Sequence, residues 1–339
     1  MTTAPVGAPK RRHTGPGSAN RSADRRRRPM TAGRRANRAG LAFVSPTFVV
    51  VLVVVILPIL WTVLLAFQHA KLVDIQGMGL LGNWSLDNFT QVFDSAGFWS
   101  SLGTTLLYTA GATLGSVVLG LIAALALRKP FRGRGLLRAA MLLPYVAPVV
   151  AVAFVWEVAL SPQYGVVNDW GHRLFGWDNP IAFLSTRECQ VDLLGAHFGI
   201  PLALLTVIAF ECWRYFPFAF LFILARLQAV PAGLEEAATV DGATLTQRFR
   251  HILLPQLMPV IALLCVLRFI MTFNKFDDVY LLTGGGAGTN VAAVRVYDFL
   301  TARYDVGAAA AQALVLAASL MILLGFYFTF FGNKVQEES

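Results

Sequence analysis

Four polar side chains stand in stretches that are otherwise apolar. Glu211 and Arg214 lie three residues apart, so on a helix they share one face, and Tyr215 and Phe218 extend it. Arg268 and Thr272 lie four residues apart in a second apolar stretch, with Lys275, Asp277 and Asp278 further along it. A charged side chain inside a membrane helix is costly and faces a cavity or an opposite charge. Two roles are therefore open for this group. Glu211 pairs with Arg214 or Arg268 and holds a helix bundle together, or the group lines a polar, aromatic-walled cavity near the midplane. Such a cavity suits sugars, whose hydroxyls need donors and acceptors and whose ring faces stack on aromatics. Two Arg against one Glu leave the group net positive, so an anionic solute such as a glycerol phosphate ester is a second reading. Bond-breaking chemistry has no counterpart here. There is no His-Glu-x-x-His and no Ser-His-Asp pattern, and the five histidines are scattered. The glycine run Gly284–Gly288 lacks the Gly-Lys-Ser/Thr ending of a phosphate loop and reads as a turn. Energy for moving a solute must come from an ATPase partner or from an ion gradient; in the latter case Glu211 would act as a proton relay.

A second polar segment lies between two long apolar ones. Pro231 and Gly233 end the helix before it, and Glu235 and Glu236 fall in the first turn of the next, where carboxylates suit the helix dipole. Gly242 breaks that helix, which gives a short helix, a turn and a second short helix; Pro255 and Pro259 then open another apolar stretch. The face is acidic and its apolar side mostly alanine, unlike the basic polar face and bulky apolar face of a helix resting on lipid. Ala237, Ala238 and Ala243 permit close approach to another protein.

These groups need a membrane scaffold to position them. Hydrophobic residues make up 56% of the 339 and charged residues 14%, against about 25% charged in soluble domains. A bilayer takes about 20 apolar residues as helix. Six stretches qualify: roughly Leu41–Phe67, Leu102–Leu127, Leu136–Leu160, Ile200–Leu224, Leu257–Leu282 and Gly307–Phe331. The expected fold is an all-α integral membrane protein with six transmembrane helices. Basic residues cluster in the N-terminal tail, in the loop holding Arg128, Lys129, Arg132, Arg134 and Arg138, and near Arg226, Arg248 and Arg250. That places those loops and both termini in the cytoplasm. Residues 1–40 hold eleven Lys or Arg and one acid, while the whole chain carries +9. The basicity thus belongs to a tail, expected to be disordered and drawn to anionic lipid, and not to a nucleic-acid surface. Segment 161–199, with Trp170 and Trp177, is expected to form short interfacial helices. Gly111, Gly115 and Gly120 allow close helix packing, within the chain or against a second membrane chain. Three cysteines, two of them in apolar stretches, argue against a disulfide framework or zinc site.

The spacing Glu236-Ala237-Ala238, then Asp241-Gly242, then Ile252-x-Leu254-Pro255 resembles the cytoplasmic coupling motif of binding-protein-dependent ABC importer permeases. Asn88-Phe89, Leu142–Pro148, Trp213-x-x-x-Pro217-Phe218 and Asn274–Gly286 are similar to segments of its maltose-type, carbohydrate-importing branch. Ala287 departs from that branch, which usually has Pro there. The resemblance covers roughly residues 40–331. It implies the type I ABC importer permease fold in a bacterial plasma membrane, with a permease domain at 41–331, a coupling segment at 231–258 and a C-terminal cytoplasmic tail at 332–339. It implies an ATPase-coupling surface at Glu235, Glu236, Ala237, Ala238, Asp241, Gly242, Ala243 and Pro255. It also implies a substrate pathway near Glu211, Arg214, Tyr215, Phe218, Arg268 and Thr272. The implied partners are a second homologous permease, two ATPase subunits and an extracytoplasmic solute-binding protein. ATP and Mg would be bound by the ATPases, with no cofactor in this chain.

Overall fold

The computed structural model describes residues 43–73, 84–193 and 196–336. The expected tail at 1–40 lies outside them; of the expected C-terminal tail at 332–339, residues 332–336 continue the last helix and 337–339 lie outside the described residues. The described residues fall into two units, divided after Ile59. In the first, residues 43–59 are helical and every side chain is exposed, as an apolar segment facing lipid would be. The helix to which they belong, α1 (Phe43–Ala66), is long and apolar enough to cross a membrane.

The second unit is almost wholly helical. The short helix α2 (Asp87–Asp94) precedes α3 (Phe98–Leu127), and two helices follow it, α4 (Arg134–Val146) and α5 (Val149–Ala159). Next come α6 (Val166–Phe175) and an antiparallel hairpin of β1 (Cys189–Leu193) and β2 (Ala196–Ile200). The chain then runs through α7 (Leu202–Gln228), α8 (Ala232–Val240) and α9 (Leu245–Phe273). It closes with α10 (Asp277–Thr283), α11 (Ala292–Thr301) and α12 (Val306–Gln336).

Among the described residues five helices are long and apolar enough to span a membrane: α1, α3, α7, α9 and α12. The third expected span, Leu136–Leu160, is instead the pair α4 and α5, bent by 95°, and counts as a sixth only if the pair is one span. Pro148 explains the break, since proline pushes the residue before it out of helical geometry; Ala147 has ψ 142°. The fifth expected span starts earlier and ends sooner than Leu257–Leu282. It runs from Leu245 to Phe273, and Asp277 and Asp278 begin a separate helix after a turn. Segment 161–199 carries one helix, α6, and also part of a hairpin that the tryptophans did not signal.

The core is the seam between α3 and α7, which make the most extensive contact in the fold. Small residues bring the two backbones together. A Cβ on Gly120 would lie 2.6 Å from Ala219 Cβ and 2.8 Å from the Phe220 amide nitrogen, and one on Gly115 would overlap Cys212 Sγ. These glycines therefore pack within the chain. Helix α9 packs across both α3 and α7. The apolar core there includes Phe220, Ile223, Leu257 and Leu264.

Candidate functional site

Arg268 reaches from α9 into the α3–α7 seam. Its Nη2 donates to Glu211 Oε1 at 2.8 Å, and its Nε lies 3.4 Å from Ser116 Oγ on α3. Thr272, one turn along α9, donates to the same Glu211 oxygen at 3.4 Å. Of the two partners open to Glu211, the structure selects Arg268; the i, i+3 neighbour Arg214 turns elsewhere. Its Nη1 donates to the Ala147 carbonyl at 3.4 Å, and its Nε lies 4.0 Å from Asp278 Oδ1. The Ala147 carbonyl is freed by the helix break at Pro148, so Arg214 satisfies an acceptor that the bend creates.

Tyr215 is the hub. The Arg268 guanidinium sits 4.2 Å above its ring centre, and Lys275 Nζ donates to its hydroxyl at 2.5 Å. Lys275 also lies 3.2 Å from Asp277 Oδ1 and 3.5 Å from Asp278 Oδ2. The last two contacts enlarge the group read from sequence: Arg214, Arg268 and Lys275 face Glu211, Asp277 and Asp278. Burial, with the Glu211 carboxylate beside it, pushes the Asp278 carboxyl well above the usual carboxylate range. Glu211 and Asp278 are fully buried, and Arg268 and Thr272 are 1% exposed.

Beside the buried charges lies an aromatic surface. Tyr145 from α4 packs edge-on against Tyr215 at 5.8 Å between ring centres and lies 6.2 Å from Phe218. Tyr145 is exposed and Phe218 half-buried. Sequence reading did not single out Tyr145 as a site residue, although it sits in the quoted Leu142–Pro148 segment. The substrate-pathway residues thus divide: Glu211, Arg214, Tyr215, Arg268 and Thr272 are buried, and Phe218 reaches the surface.

At one end of α7, the polar segment folds as α8, a turn and the start of α9. Pro231 caps α8 and Gly233 lies inside it, so only Pro231 acts as a boundary. Glu235 falls in its first turn; Glu236, one residue on, is exposed. Gly242 has φ +78° in the turn, a conformation that a side chain disfavours. The Gly242 amide donates to Thr239 O and that of Ala243 to Ala238 O, closing α8. Asp241 is exposed and Ala243 half-buried. Thr244 then caps α9 through a reciprocal bond with Gln247. Pro255 does not open a helix here. It lies ten residues into α9, directly after a widened turn at Phe249–Leu253 in which Leu254 N–H bonds Phe249 O. Proline has no amide to give and crowds the carbonyl four residues back, and the widened turn accommodates both defects.

Residues 116–337 match the family described as "Binding-protein-dependent transport system inner membrane component". The chain is 37% identical over 238 residues to the inner membrane ABC transporter permease protein YcjO of Escherichia coli, covering 68% of this chain and 74% of that one. It is 34% identical to the trehalose/maltose transport system permease protein MalF of Thermococcus litoralis, covering 78% and 83%. It is 30% identical to the trehalose transport system permease protein SugA of Mycobacterium tuberculosis, covering 89% and 92%. Its fold is similar to a chain in the crystal structure of a bacterial ABC transporter that imports alginate. That match has a TM-score of 0.68 at 22% identity and covers 88% of this chain and 98% of the other.

Proposed function

The chain belongs to the family of binding-protein-dependent transport system inner membrane components, and on that premise we propose that it forms half of the translocation pathway of an ATP-driven importer for a neutral sugar or polyol. It is a transport subunit, and ATP hydrolysis belongs to a separate chain. The other half of the pathway is a second, homologous permease. Two ATPase subunits, which bind ATP and Mg, engage from the cytoplasm, where both termini also lie. A solute-binding protein delivers the sugar from outside. Glu236, Ala237, Asp241 and Gly242 contact an ATPase, supported by their exposure on α8 and in the turn that closes it. When the ATPases close on ATP, α8 moves with them and the pathway turns outward; hydrolysis returns it.

The observation that carries the substrate class is the aromatic surface beside the buried charges. Arg214, Arg268 and Lys275 are themselves nearly buried and face carboxylates. The surface left for a solute is aromatic: Tyr145 and Phe218, with the Tyr215 hydroxyl behind them. Rings of this kind stack on the apolar faces of a pyranose. Relatives named for trehalose and maltose agree with that reading.

The test is ATPase activity of the purified complex in nanodiscs with its binding protein, over neutral disaccharides, polyols and glycerol phosphate esters. Stimulation by a neutral sugar supports the assignment. Stimulation by the phosphate esters alone overturns it, and no response from a complex that retains its ATPases discards both solute classes.

A further inference from the structure

Helix α8 is nearly free-standing. None of its described side chains is buried, and only Glu235 and Ala238 are half-buried. A recess of about 540 Å³ separates it from the ends of α3 and α7, lined by Arg128, Lys129, Leu227, Glu235 and Thr239 among others. One fork of hydrogen bonds crosses that recess. Arg128 Nη1 donates to Glu235 Oε1 at 2.6 Å and Nη2 to Glu235 Oε2 at 2.8 Å. Among the described residues this is the one side-chain hydrogen-bonded tie from α8 to a helix other than α9; Thr239 accepts from Arg248 in the first turn of α9.

Both ends of the tie are fixed. Arg128 is the C-terminal cap of α3. Its own carbonyl accepts from Arg134 Nη1 at 3.2 Å, and the Leu127 carbonyl accepts from Arg138 Nη2 at 2.8 Å. Two arginines of α4 thus hold the end of α3 in place. Glu235 sits in the first turn of α8. The pair therefore joins the negative end of one helix dipole to the positive end of another, an arrangement that strengthens it. The two side chains are 19% and 26% exposed, enough shelter to limit screening by salt. Beyond Arg128, α3 continues to Ser116, which touches Arg268 in the buried charge cluster.

We propose that the Arg128–Glu235 pair is the positioning link through which displacement of α8 reaches α3 and the pathway. The inference rests on α8 being the ATPase-docking helix, but it separates two glutamates that sequence reading placed together. Successive helical residues point about 100° apart. Glu235 turns to Arg128 and pulls on the span, while Glu236, which lines the same recess but is exposed, is left for the ATPase.

The test uses the full complex in proteoliposomes, reading solute moved per ATP hydrolysed and the amount of ATPase retained. Arg128→Glu and Glu235→Arg each keep the ATPases bound and lower transport per ATP about tenfold, the effect of losing about 1.4 kcal/mol of coupling. The double swap R128E/E235R restores it to within about twofold, since the pair is re-formed with its signs exchanged. Arg128→Lys keeps the charge without the fork and falls between, which preserves the test if the reversals misfold. Normal coupling in all single variants overturns the proposal. So does a double swap no better than either single, or loss of bound ATPase with unchanged coupling in what remains. Glu236→Lys is the control for the docking assignment: if it keeps its ATPases and its uptake, that assignment fails whatever Arg128 does.

Discussion

Removing Arg268 would strand the Glu211 carboxylate where no part of its side chain is exposed. Arg268→Leu is expected to destabilise the protein by about 3–5 kcal/mol, because a buried charge without its partner is costly. The paired change Glu211→Leu with Arg268→Leu should recover most of that. Thermal unfolding in detergent compares the two; equal losses would mean that the pair does not act as a unit. Tyr145→Ala behaves differently. Its ring is exposed, so unfolding should shift little while uptake at low solute concentration falls several-fold, read from initial rates. The sequence exposed the buried charges plainly, as ionisable residues in apolar runs. It did not reveal who pairs with whom. Spacing left both Arg214 and Arg268 open to Glu211; the bond is made between helices, to Arg268, and Arg214 instead answers a carbonyl that the bend at Pro148 sets free.

At the scale of elements, α8 and α9 depend on one backbone conformation. Gly242 has φ +78° with open space around it, so Gly242→Val meets no clash and fails through its own backbone. The strain is about 1–2 kcal/mol, concentrated in the turn that aims α8. The expected result is normal insertion with weaker retention of the ATPase, measured by co-purification; unchanged retention and uptake would show the turn to be dispensable. Gly120→Leu fails for the other reason, contact. Its Cβ would meet the α7 backbone, so folded protein should be lost on size-exclusion chromatography. Most elements were legible as apolar runs, and Gly242 was legible because only one residue type suits its turn. The bend between α4 and α5 was harder to see. A proline within an apolar run reads equally as a kink or a stop, and the 95° angle is set by how α4 packs on α7 and α5 on α10. The continuity of α9 through Pro255 was hidden too, since a widened turn leaves no mark in the sequence.

At the scale of the molecule, import should follow the ATPase partner and not the ion gradient. Uptake into proteoliposomes with ATP inside should be unmoved by a protonophore, and collapse of uptake on its addition would restore a secondary transporter. Only part of any alternating motion can occur inside this chain. Backbones that meet at Gly115 and Gly120 have no room to slide, so α3 and α7 travel as one body while bends such as that between α4 and α5 take up the change. That closeness also turns a thiol into a clock. Cys212 lies against the Gly111 and Ala112 carbonyls and is 7% exposed. With Cys189 and Cys265 replaced by serine, a maleimide should modify it slowly whether nucleotide is present or absent. Its reaction rate would then time unfolding of the subunit and stay silent through every transport cycle.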